Sequence, residues 1–132
     1  MADKMKSLKL LIIAGTLIFL SEGANAEWTL VTENQALDLY YLDWDTLKRA
    51  DGNRQIWMIQ DHKNANKNGV VSNLSMTEFD CKGQRFRFKR TIAYPDHLGN
   101  GKVLGTVTSD EWIEMPPGTS IDGRARLVCS KK

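Results

Sequence analysis

From residue 28 onward, apolar and polar residues alternate in short runs broken by turn residues, a rhythm that predicts strands more than helices. Residues 28–32 (WTLVT) and 37–42 (LDLYYL) read as the first two strands. Residues 45–49 (DTLKR) read as one helical turn, stopped by Asp51-Gly52-Asn53. The next run, 54–61 (RQIWMIQD), is apolar on both faces at its centre, which places it inside a sheet with Trp57 in the core. A polar connection, 62–69 (HKNANKNG), leads to a fourth strand over 70–80.

The fifth run, 84–94, alternates most cleanly. Phe86, Phe88, Ile92 and Tyr94 fall on one face, interrupted by Arg90, while Arg85, Arg87, Lys89 and Thr91 fall on the other. One buried and one wetter face is the mark of antiparallel pairing. Cys81-Lys82-Gly83 is the tight connection before it. Weaker strands follow at 103–108 and 111–114, and Pro116-Pro117-Gly118 ends the series. The last segment is open on pattern alone. Thr119 or Ser120 would cap a helix carrying Ile121, Ala125, Val128 and Cys129 on one side. Gly123 weakens that helix, and Ala125, Leu127 and Cys129 alternate equally well as a strand.

The first 26 residues follow a different pattern. Lys4, Lys6 and Lys9 precede an uncharged apolar run from Leu10 to Leu20, and the segment exits through Ala24-Asn25-Ala26. That is the three-part build of a secretory signal peptide, and the apolar run falls well short of the roughly 20 residues that span a bilayer. The expected organisation is a cleaved signal over 1–26 and one domain over 27–132, with no membrane span after cleavage. Three Lys and two acids leave with the signal, so a full-chain charge of +2 becomes +1. Export delivers the chain to an oxidising compartment, so the two cysteines, Cys81 and Cys129, are expected to pair. Closing a loop of roughly 50 residues is worth about 4 kcal/mol in the chain-entropy account.

The composition, 42% hydrophobic and 26% charged, fits one compact domain and is too apolar for a disordered chain. A near-neutral balance without a basic cluster argues against nucleic acid as a partner. The two histidines, His62 and His97, sit in separate polar loops without ligand spacing, so they read as solvated and no metal or other cofactor is expected. Asp43 and Asp45 flank Trp44, but one local carboxylate pair reads as a corner or cap, and no nucleophile or nucleotide fingerprint occurs. No catalytic residue is assigned, and the chain does not read as an enzyme. The one suggestive surface feature is the stripe Arg85, Arg87 and Lys89, a candidate ligand surface for an acidic partner. The competing use of those cations is cross-strand pairing with Glu78, Asp80 or Asp61.

One order of short motifs is distinctive. Trp28 opens the mature chain, followed by Tyr41-Leu42-Asp43 and then 56–61 (IWMIQD). Glu78-Phe79-Asp80-Cys81 ends a strand, 112–119 (WIEMPPGT) follows, and Val128-Cys129 lies at the end. This order resembles the surface-adhesin protein E family of Gram-negative bacteria over essentially all of 27–132. The resemblance implies an α+β fold, a single extended antiparallel sheet of five or six strands with a C-terminal helix tethered by the disulfide. It further implies an exported, non-enzymatic binding protein, in the periplasm or on the outer surface, that captures host matrix or serum proteins and forms a homodimer. A bacterial envelope protein is the alternative ligand. The family's ligand-contacting segments have no matching motif here, so the resemblance assigns no binding residue.

Overall fold

The computed structural model describes residues 27–132, so the expected signal peptide over 1–26 lies outside the described residues. Seven strands and a helix follow in order: β1 (Thr29–Glu33), β2 (Leu39–Ala50), β3 (Asn53–Asp61), β4 (Ser72–Asp80), β5 (Arg85–Tyr94), β6 (Gly105–Thr108), β7 (Ile113–Glu114) and α1 (Ser120–Ser130). Each strand from β1 to β6 pairs antiparallel with the next, making one open meander. The short β7 returns to the same edge of β5, where Phe86 faces Ile113. Both strongly bound connections show their turn chemistry. Asp51 and Gly52 join β2 to β3 with φ of 49° and 83°, the doubly positive pair of a tight hairpin. Between β4 and β5, the Asp80 carboxylate accepts the Gly83 amide at 2.9 Å.

The register sorts side chains onto two faces. Leu42 lies opposite Met58, Ile56 opposite Thr77, and Phe79 opposite Phe86. The apolar ones among them form the core with Met115, Ala125 and Val128, with Thr77 buried beside them, and α1 covers this face. The helix is therefore the reading of 120–130 that holds. Its start is capped by Thr119, whose hydroxyl accepts the Asp122 amide at 3.3 Å. Cys81, in the turn after β4, bonds to Cys129 in the last turn of α1, with their Cα atoms 5.9 Å apart. The expected disulfide thus ties the helix to the sheet.

Three expectations shift, two of them through bulges. Residues 45–49 form no helical turn, because β2 runs on through them. Asp43 pairs with Trp57 and Lys48 with Gln55, so 44–47 face the single residue Ile56. Thr46 repairs the gap: its hydroxyl donates to the Asp43 carbonyl at 2.6 Å and accepts the Trp57 amide at 3.0 Å. In β5, Thr77 pairs with Phe88 but Met76 with Arg90, so Lys89 is an extra residue. The alternation changes phase there, which is why Arg90 interrupted it. Phe86, Phe88 and Thr91 belong to the helix side, and Arg85, Arg87, Arg90 and Ile92 to the other. Trp57 also lies on that other face, half-buried, while its neighbours Ile56 and Met58 occupy the core.

Asp122 joins the helix start to the sheet. Its buried carboxylate accepts the Gly118 amide at 2.9 Å, the Gln84 side-chain amide at 2.7 Å and an Arg126 guanidinium at 3.1 Å. The Gly118 bond, with Gln84 and Arg126 behind it, holds the carboxyl below its ordinary value of 3.8 despite burial. A carboxyl depressed on folding adds stability that is complete above the unfolded value and lost as pH falls through the folded one. Urea midpoints are expected to fall on acidification below about pH 4, with Asp122→Asn less stable at neutral pH and flatter in its acid slope. An unchanged slope in that variant would contradict this role.

Candidate functional site

The sheet presents two surfaces of different character. On the face away from α1, Arg85 and Arg87 stand side by side and enclose an aromatic ring. Their guanidinium carbons lie 4.5 and 4.3 Å from the centroid of Trp112, which the β6–β7 connection brings over them. Each cation also has a cross-strand acid. Arg85 Nε donates to Asp80 at 2.8 Å, and Arg87 Nη2 to Glu78 at 2.8 Å. The Arg85 bond, helped by the Gly83 amide, lowers the Asp80 pKa. Glu78 is nearly buried and accepts a further bond from Gln55 Nε2 at 2.7 Å. The register therefore brings Arg85 and Arg87 together, as the stripe required, but separates Lys89 from them at the bulge. Arg90 takes the next position on their face, opposite Met76, which in turn lies opposite Trp57.

The two arginine pairs differ in depth, and their replacement should show it. Arg87→Gln strips a charged donor from a buried carboxylate and is expected to cost about 1–3 kcal/mol. Arg85→Gln breaks an exposed pair and is expected to cost less than about 1 kcal/mol. Thermal melts of the two variants decide this, and equal losses would contradict the asymmetry.

Towards the far end of that face, the β5–β6 connection folds back over the sheet. Asp61 accepts the Leu98 amide at 3.1 Å and faces His97 Nδ1 at 3.0 Å. Ser72 donates its hydroxyl proton to the Asp96 carbonyl at 2.6 Å and accepts the Gly99 amide at 2.9 Å. Gly99, at φ 71°, then passes against Ile59 and the Tyr94 ring. The histidines are thus less free than their polar loops suggested. His97 is 61% exposed yet held to Asp61, and His62 packs between Asp38 at 3.3 Å and Asn73 at 3.1 Å. Burial alone would raise the Asp38 carboxyl, but the Asn34 and Gln60 amides with His62 bring it below its usual value. Asp43 is buried and accepts the Asp45 amide at 3.2 Å, making a corner of the β2 bulge. Among the described residues, no cluster of three metal-ligating side chains occurs.

On the helix side, α1 covers only part of the sheet, and a cleft of about 270 Å³ opens beside it. Phe86 and Phe88, edge to face with centroids 5.1 Å apart, contribute apolar wall, and Ser75, Thr91 and Asn73 the polar one. At the helix edge lies Arg124, 4% exposed, its guanidinium 3.7 Å from the centre of the Tyr40 ring. Nη1 donates to Ser120 at 2.7 Å and, at 3.5 Å, to Thr32. Nε has no partner, and among the described residues no carboxylate pairs with Arg124. Burial lowers its pKa to about 10, so it remains charged at neutral pH. Sequence reasoning missed this residue, although the signal existed: Arg124 lies on the same helical stripe as Ile121, Ala125 and Val128.

The family described as Surface-adhesin protein E matches residues 28–130. Crystal form II of Haemophilus influenzae protein E superposes with a TM-score of 0.60 at 14% identity, covering 80% of this chain and 88% of that one. A protein E structure from non-typeable Haemophilus influenzae gives 0.57 at 13% identity, covering 80% and 76%. At these identities the likeness is one of fold. No curated protein sequence matches this chain.

Proposed function

Because the chain belongs to the surface-adhesin protein E family, we propose that it is an exported, non-enzymatic protein that binds a host matrix or serum protein at the surface of a Gram-negative bacterium. The observation that carries this reading is the sheet face away from α1. Trp112, Arg85, Arg87, Trp57 and Met76 gather there half-exposed, and Trp, Arg and Met are the residues enriched where proteins dock. Of the candidate ligand surface, Arg85 and Arg87 stand on that face, and Lys89 lies next to them in sequence at the bulge. Because the cations are shared with Asp80 and Glu78, the ligand is recognised through the stacked Trp112 as much as through charge. A homodimer would pair copies through β6, whose Val107 is 66% exposed.

The test is binding of the purified exported protein to surfaces coated with matrix or serum proteins, with a coated bacterial envelope protein fraction beside them. Saturable binding to a host protein is expected, weakened about tenfold or more by Trp112→Ala. Since Arg87 also supports Glu78, the charge test uses Arg85→Gln with Lys89→Gln, which should weaken binding while leaving the melt nearly unchanged. Binding confined to the envelope fraction would overturn the host reading in favour of a periplasmic module.

A further inference from the structure

We infer that the cleft between α1 and the sheet is a binding site for a small organic carboxylate, with Arg124 receiving the carboxylate and the Phe86–Phe88 wall receiving an apolar body. The charge balance of the cleft is the main argument. Arg124 is the one charged residue among its lining side chains, and it is almost wholly buried. A buried cation is costly unless it is paired. Here its neighbours are two neutral hydroxyls, Ser120 and a longer contact to Thr32, and an aromatic ring, with Nε left unsatisfied. An incoming carboxylate supplies the missing acceptor, and a guanidinium is the group best shaped to hold one through two parallel bonds.

The remaining walls are consistent with that ligand. Ser75 and Thr91 hydroxyls bond to each other at 3.1 Å, which uses one of their two protons and leaves the other to donate. Tyr40 Oη already accepts from Asn34 at 3.1 Å and Gln60 at 3.0 Å, so its own proton is also available. The nearby acid, Asp38, is occupied by Asn34, Gln60 and His62 and lines no part of the cleft. A volume of about 270 Å³ admits a molecule of benzoate size and excludes a folded partner. The site lies on the opposite side of the sheet from the proposed protein-binding face, so the two readings stand or fall separately.

The probes are benzoate and hexanoate, each paired with its neutral amide, titrated into the labelled exported protein and followed by NMR. Both acids, or one of them, should shift the Arg124 Nε–H resonance and the Ser75 and Thr91 amides, with the matching amide at least about tenfold weaker. Arg124→Met should remove acid binding while the far-ultraviolet spectrum stays unchanged. If that variant fails to fold, the wild-type Arg124 resonance decides alone. No shift at Arg124 with either acid, equal binding of acid and amide, or retained binding in folded Arg124→Met would overturn the assignment.

Discussion

Cys129→Ser is expected to lower the unfolding free energy by about 2–5 kcal/mol and Tm by about 10 °C or more. The bond joins the turn after β4 to the last turn of α1, across a sequence separation of 48. Its loss frees the unfolded chain, and it also frees α1, which covers the core. An 11-residue helix is too short to persist alone in water, so α1 exists because Ala125 and Val128 rest on the sheet. Without the tether, the chain end should fray and become the first site of proteolysis. Calorimetry and limited proteolysis of the variant test this, together with thiol titration of the native protein, which should find no free thiol. A variant melting within a degree or two of wild type, with α1 still protected, would show that packing alone holds the helix.

Phe79→Ala is expected to cost about 3–5 kcal/mol, the range for deleting a fully buried aromatic. Phe79 has no exposed surface and stands in register between Arg54 on β3 and Phe86 on β5, beneath α1. Strands on both sides fix its backbone, so the surroundings can collapse little into the space left behind. Phe88→Ala is the control, since Phe88 is half-buried beside the open cleft and should cost less. Urea denaturation of both variants provides the comparison. A Phe79→Ala loss below about 1 kcal/mol would mean that the core lies elsewhere.

Much of this architecture was legible in the residues because strand period and turn chemistry are local signals. Arg54 to Asp61 read as an internal strand, and β3 does pair on both sides. Bulges were not legible, since an extra residue is recognised only against its partner strand. Lys89 looked like a third member of a basic stripe until Met76 and Thr77 revealed the phase change. Residues 45–49 looked helical because Thr46's repair of the β2 ladder is visible only with Trp57 beside it. Trp57 was placed in the core by its apolar neighbours, but α1 covers the face that holds Ile56 and Met58. The outer face is closed by the β5–β6 connection around Ile59, and Trp57 is left half-buried on it. The binding-protein reading came from the order of short motifs that resembles the family, whereas the buried cation that gives the helix side its character emerged only when Tyr40 and Arg124 were brought together.

The claim that this is a surface-displayed binding protein is tested most directly by protease treatment of intact cells. The account predicts that the protein is digested from outside while a soluble periplasmic marker in the same cells survives. Protection of both until the outer membrane is opened would contradict surface display and place the protein in the periplasm.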